Sequence, residues 1–173
     1  MKASKLIIVI ALLASPFLSK AQTQFDKFED LDGVTSVIVN QKAFSLMSKI
    51  GSESDEEYLD LIKNIETLKV FATENASVAI KMDQEVKKYL KTANLEELMR
   101  VKDEDANVKI YVREGKNENY VKELFMFVKD KGDNGSGEAV VILLKGNIDL
   151  NQISKLTSSM DIPGGEHLEK AKK

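Results

Sequence analysis

The sequence predicts an α+β domain, an antiparallel sheet of about four to six strands with helices packed mainly on one face. Two observations carry this prediction. Between residues 43 and 92 apolar side chains recur mainly at helical spacing, whereas from Leu95 onward they follow a period of two. The helical segments also precede a run of four strands, and no interdomain linker interrupts the chain. We therefore expect a single globular domain over residues 22–160.

The first 21 residues have the order of a secretory signal peptide. Lys2 and Lys5 precede an apolar run over residues 6–13, and a small-x-small sequence ends at Ala21. Cleavage is expected between Ala21 and Gln22. The apolar run is shorter than the roughly 20 residues that a membrane-spanning helix needs. We therefore expect an exported protein, periplasmic or secreted, with no membrane span after cleavage.

The first half of the domain contains most of the predicted helices. Ser54 and Glu57 form a capping box at the start of one helix, and Asn75 is expected to cap another. The spacing of apolar residues and the runs of β-branched residues predict the remaining helices and strands. In chain order these are a loosely packed amphipathic turn or short helix at residues 22–32, a strand at 34–39, helices at 43–50 and 54–68, a short strand at 69–72 and a helix at 75–92.

The second half is predicted to form the sheet. Residues 107–114 alternate cleanly, so valine and isoleucine face one side of the strand while Lys109, Tyr111 and Arg113 face the other. Two later strands are apolar on both faces and are expected to lie centrally. The elements are strands at 97–101, 107–114, 120–128 and 139–144, a last helix at 149–160 and a flexible tail at 161–173.

Composition excludes several classes of function. Residues 1–21 carry three of the 25 basic residues and no acid, so 22 basic and 28 acidic residues remain, a net charge of −6. This charge argues against nucleic acid and against docking on anionic lipid, because both need a basic surface. The chain has no cysteine, which excludes thiol catalysis, thiolate metal sites and disulfides.

No catalytic, cofactor-binding or metal-ligating residue is predicted. The one histidine, His167, lies in the expected tail, whereas a catalytic base must be held rigidly beside its nucleophile. The acidic loop from Asp130 to Glu138 lacks the spacing of a calcium-binding loop. A pair of carboxylates is the remaining catalytic option, and the chain offers many acids that could form one.

One face of the predicted sheet is a candidate partner surface. If helices cover only the other face, Tyr111, Phe125 and Phe127 lie together on an exposed apolar patch. Tyr111→Ala is then expected to weaken partner binding while leaving folding nearly intact. The alternative is that Phe25 and Phe28, or a further helix, cover these side chains.

Three segments resemble the bacterial exported family known as domain of unknown function 4252. They are residues 89–101, residues 120–124 and residues 145–150. The resemblance implies an envelope protein of a Gram-negative bacterium and carries over no active-site residue. Family members are often lipoproteins, and this chain departs from that pattern because it has no cysteine.

These observations favour a non-enzymatic envelope protein that binds an unidentified envelope protein or ligand and uses no cofactor. A carrier of an apolar ligand and an enzyme that uses a carboxylate pair remain as alternatives.

Overall fold

The computed structural model describes residues 24–50, 56–102, 106–130 and 137–152. These residues form a six-stranded antiparallel sheet, three α-helices and a 3₁₀ turn, which confirms the predicted α+β class. The strands are β1 Thr35–Asn40, β2 Ile65–Thr73, β3 Glu96–Lys102, β4 Ala106–Glu114, β5 Tyr120–Asp130 and β6 Ala139–Asp149. The helices are α1 Gln41–Ile50, α2 Glu56–Lys63 and α3 Ala76–Thr92, and the 3₁₀ turn is Asp26–Phe28.

The strand order across the sheet is β1-β2-β6-β5-β4-β3. Strands β3 to β6 form a meander, and β2 pairs with the free side of β6. The two strands that are apolar on both faces, β5 and β6, are central, as predicted. This order leaves β1 and β3 as the two edges of the sheet.

Helices cover both faces of the sheet, which differs from the expected placement mainly on one face. Phe44 of α1 and Leu61 and Ile62 of α2 pack in one cluster, on what we call the α1/α2 face. Helix α3 and the 3₁₀ turn pack on the opposite α3 face. The physical reason lies in β5 and β6: strands that are apolar on both sides require cover on both sides.

The segment that precedes β1 contains the expected short helical turn, Asp26–Phe28, but it is firmly packed, so the expectation of loose packing was wrong. Phe25 and Phe28 are fully buried on the α3 face. Asp26 forms an ion pair with Lys69 of β2, with 2.5 Å between Oδ1 and Nζ. The Ser36 hydroxyl donates a hydrogen bond to the Glu29 carbonyl oxygen at 2.7 Å. Buried aromatic rings and these two polar contacts therefore tie the segment to β1 and β2.

A β-bulge explains why the predicted second helix was too long. Helix α2 ends at Lys63, and β2 begins at Ile65, where the register of β2 on β6 shifts between Ile65 and Thr67. The extra residue puts Ile65 and Leu68 on the same face although they are three residues apart. That spacing is typical of a helix. Gly146 lies opposite Ile65 with φ +147°, and a Cβ there would meet the Asn64 carbonyl oxygen at 2.3 Å.

Several predicted features lie outside the described residues: the signal peptide, the Ser54 cap, most of the Asp130–Glu138 loop, the last helix beyond residue 152 and the tail with His167. The predicted start of that last helix is described, and there Asp149 ends β6 and residues 150–152 form a turn. The cap of α3 is confirmed, because the Asn75 side chain accepts the backbone N–H groups of Ser77 and Val78 at 3.0 and 3.3 Å.

Candidate functional site

Two of the three predicted surface residues belong to the core. Phe125 is 0% and Phe127 3% exposed, and both pack in the cluster formed with α3 and the N-terminal segment. The ring of Phe25 lies 5.6 Å from that of Phe125. The expectation of an exposed patch around Phe125 and Phe127 was therefore wrong, and the alternative cover by Phe25, Phe28 and a helix is the arrangement found.

Tyr111 is half-buried at the margin of that cluster, and its hydroxyl group is already hydrogen-bonded within the protein. Its hydroxyl donates to Glu97 of β3 at 2.9 Å, and Arg100 donates to the same carboxylate at 2.6 Å. The Arg100 hydrogen bond, followed by that of Tyr111, lowers the pKa of Glu97. Desolvation and the hydrogen bond to Glu97 raise the pKa of Tyr111. The group holds an ionised carboxylate and a neutral phenol, neither of which is a proton donor or acceptor poised near pH 7.

Glu123 of β5 is a buried carboxylate, 3% exposed. The Tyr89 hydroxyl donates to its Oε1, and Arg113 donates to its Oε2 at 3.1 Å. Desolvation, reinforced by the hydrogen bond to Glu123, raises the pKa of Tyr89. Because both carboxylate oxygens are engaged and the phenol stays neutral, this network is suited to orienting α3 on the sheet.

A second buried carboxylate, Glu85 of α3, holds the N-terminal segment. Lys27 contacts its Oε1 at 2.7 Å, Lys88 contacts the same oxygen at 2.8 Å, and Gln24 donates to Oε2 at 2.8 Å. The hydrogen bonds of Lys27, Lys88 and Gln24, in that order, lower the pKa of Glu85 to about 2. This carboxylate is therefore ionised at any ordinary pH and acts as an anchor.

The described residues offer little for metal or ligand chemistry. Within them, no group of three or more histidine, cysteine or acidic side chains is placed to hold a metal ion. A cleft of about 550 Å³ lies where β1 and β2 meet the start of α3, and Thr73, Glu74 and Glu138 contribute to its lining. The Thr73 hydroxyl donates to the Gly33 carbonyl at 2.6 Å and accepts from the Asn75 N–H at 3.1 Å. Its glutamates make the cleft a poor receptor for an apolar ligand.

The edge strand β1 carries a feature that sequence reasoning missed. Val37 and Ile38 at its centre are 36% and 38% exposed, and the strand has no charged residue. Helix α1 begins at the end of β1 and lies on the α1/α2 face, where Leu46 and Met47 are also exposed. The sequence did contain a signal for this exposed edge. An uncharged Val-Ile-Val run is followed by a helical segment that has more apolar residues than one buried stripe requires.

The opposite edge has different chemistry. Strand β3 carries four charged side chains, Glu96, Glu97, Arg100 and Lys102, and its register on β4 shifts between Glu97 and Met99. Charged residues and bulges are the usual devices that protect an edge from pairing. The two edges therefore differ in their capacity to accept another strand.

The described residues form a small α+β domain. Its two buried carboxylates in the described part, Glu85 and Glu123, are each paired with basic groups. The family model for the domain of unknown function 4252 matches residues 28–156, and the chain belongs to that family. This confirms the family resemblance noted in the sequence. No curated protein and no solved structure matches the chain. In the described part of the chain, no helix has the length and apolar content needed to cross a membrane.

Proposed function

We propose that the protein is an exported, non-enzymatic protein-binding module whose β1 edge receives an extended, uncharged strand of a protein partner. The observation that carries this proposal is the composition and exposure of β1: six residues without a charge, two of them large exposed apolar residues at its centre. Addition of a strand to an open sheet edge is a recurrent mode of protein recognition.

The supports of β1 favour this role because they fix the edge before a partner arrives. On the α1/α2 face, Val39 packs against the core cluster that contains Phe44. On the α3 face, the Ser36 hydroxyl is tied to the N-terminal segment. A rigid edge loses little conformational freedom on pairing, so more of the interaction free energy is retained as affinity.

The buried networks support a non-enzymatic function. Basic side chains lower the pKa of Glu85 and Glu97, whereas the proton-donating member of a catalytic carboxylate pair needs surroundings that raise its pKa. Both oxygens of the Glu123 carboxylate are occupied by Tyr89 and Arg113. The two glutamates in the lining of the cleft near Thr73, Glu74 and Glu138, likewise favour a protein-binding module over a carrier of apolar ligands.

Export rests on the order of the first 21 residues: a basic start, an apolar run and a small-x-small end at Ala21. In this proposal the processed chain begins at Gln22 in the envelope or outside the cell. Its partner is a protein that offers an unpaired strand.

Photo-crosslinking in cells of the native host tests the proposal. A benzophenone amino acid replaces Ile38 of β1, Leu98 of β3 or Tyr111, and all three positions are at least partly exposed. We expect a discrete adduct from position 38, mapping by mass spectrometry to an extended uncharged segment of the captured protein. Positions 98 and 111 should give none. Adducts from position 98 or 111 with none from position 38, or no adduct at all, would contradict the proposal.

A further inference from the structure

We propose that residues 153–160 pack on β4 from the α1/α2 face, so that this segment completes the layer that α1 and α2 begin. The segment lies outside the described residues, and its apolar side chains Ile153, Leu156 and Met160 make the contact. The docking surface on β4 is four strands away from β1, so the inference goes beyond the proposed function.

The apolar side of β4 is buried although β4 lies next to an edge of the sheet. Val108, Ile110 and Val112 belong to the core cluster of the α1/α2 face and are 4%, 2% and 7% exposed. Val101 of the edge strand β3 pairs with Val108 on the same face and is 45% exposed. Because side chains stand roughly perpendicular to a sheet, neighbouring strands alone do not bury them. The side chains of β4 therefore require a layer above them.

Helices α1 and α2 form too narrow a layer to cover β4 as well. Helix α1 lies against β1 and β2, and α2 packs beside α1. Two adjacent helices span about 20 Å, since each has a diameter of about 10 Å. Strands are spaced by about 4.8 Å, so this width corresponds to about four strands. Counted from β1, the fourth strand is β5, and β4 is the next.

One segment outside the described residues has the composition needed for this cover. Residues 51–55, 103–105 and 131–136 contain no large apolar side chain. Residues 1–21 are removed in the export proposed above, and this step rests on that proposal. The two residues that follow them are polar. The segment that begins at residue 153 remains, and its apolar residues have the three- and four-residue spacing of a helical stripe.

The end of β6 brings this segment to the correct end of β4. Leu150 packs against the core cluster of the α1/α2 face, and with the two residues after it forms a turn. Ile148 of β6 and Glu114 of β4 both pair with Val121 of β5, so β6 and β4 end at the same level. A helix of eight residues is about 12 Å long, and the apolar row along β4 extends about 13 Å. The segment therefore matches the row in length.

A nitroxide spin label at position 158 tests this placement in the chain from Gln22 to Lys173. Helical spacing puts Ser158 opposite the apolar stripe, so Ser158→Cys leaves the contacting side chains unchanged, and the chain has no other cysteine. We expect the amide NMR signals of β4 to lose most of their intensity while those of β1 keep most of theirs. Paramagnetic broadening falls steeply with distance, and β1 lies about 19 Å from β4 across the sheet.

A charge within the stripe should abolish the effect. Leu156→Lys in the labelled chain should restore the β4 signals, because an unpaired charge is costly to bury against apolar side chains. Exchange of the β4 amide hydrogens should then be about tenfold faster or more. The matched control Ser154→Lys adds the same charge on the polar side and should change neither measurement.

Three results would overturn the inference: retained β4 signals in the labelled chain, equal loss in β4 and β1, or a loss that Leu156→Lys leaves unchanged. None of them contradicts the proposed function, which is tested by the adduct from position 38. Failure of that adduct in turn leaves the label experiment valid, because the chain used here already lacks residues 1–21.

Discussion

The two edges of the sheet, β1 and β3, are similar in length and opposite in design. Strand β1 has no charged residue and is supported on both faces, by α1 and by the N-terminal segment. Strand β3 has four charged residues and a bulge, and all its residues except Met99 are exposed. Arg100 and Glu97 of β3 are paired with each other at 2.6 Å. The charges and bulge protect β3, whereas β1 is supported and left open.

This contrast shows that exposure alone does not identify a binding edge. Val101 of β3 is more exposed than Val37 of β1, at 45% against 36%, yet it lies among charged neighbours on a strand with an irregular register. What distinguishes β1 is the combination of neutrality, regular pairing with β2 and support from both faces.

The largest expected effect comes from weakening the N-terminal segment, which supports β1 on the α3 face. Phe25 is fully buried against the rings of Tyr89 and Phe125, with centroids 5.3 and 5.6 Å away. We expect Phe25→Ala to lower the free energy of unfolding by about 3–5 kcal/mol, because it leaves a cavity in the aromatic cluster. Urea denaturation gives that value.

Amide hydrogen exchange should then show where the support was lost. In Phe25→Ala, protection should fall more in β1 than in β3. Ile80→Ala is the control, because Ile80 is exposed on α3 and its removal should change stability by less than about 0.5 kcal/mol. An equal loss of protection in β1 and β3 would show that the N-terminal segment does not stabilise β1 specifically.

A smaller, pH-dependent effect comes from the Glu85 anchor, which holds Gln24 and Lys27 of the same segment. Its pKa is lowered from 4.5 to about 2, so the stabilisation is fully present above about pH 4.5 and is lost as the pH falls towards 2. We expect Glu85→Gln to lower the free energy of unfolding by about 2 kcal/mol at pH 7 and by much less at pH 2.

The matched control is Asp83→Asn on the same helix. Asp83 forms an ion pair with Lys87 at 2.8 Å and a longer one with Lys129 of β5 at 3.7 Å, and surface pairs of this kind contribute only about 0.2–1 kcal/mol. Urea denaturation of both variants between pH 2 and 7 measures the difference. A Glu85→Gln deficit that does not shrink as the pH falls would mean that the charge of Glu85 is not what holds the segment.

Much of the fold follows from periodicity, and the errors have local causes. The alternation of Val108, Ile110 and Val112 correctly places β4, because a half-buried strand has a period of two. The end of α2 was misplaced because the bulge at the start of β2 produces a three-residue spacing between Ile65 and Leu68. A bulge depends on the partner strand, here on Gly146, and a single segment does not reveal it.

The candidate site was less predictable than the fold. Tyr111, Phe125 and Phe127 share a face as expected, but which face is covered depends on tertiary packing of Phe25, Phe28 and α3. The strand β1 was recognised, yet its position at an edge follows only from the pairing order of all six strands. The sequence therefore indicates which residues form strands, while assembly decides which strand is open.

Photo-crosslinking at the two edges examines the central claim most directly, with the benzophenone amino acid at Ile38 of β1 or at Leu98 of β3. The account predicts a discrete adduct from position 38 and none from position 98, because β1 is uncharged and regularly paired with β2 whereas β3 is charged and bulged. Adducts of equal yield from the two positions, or none from position 38, would contradict the account.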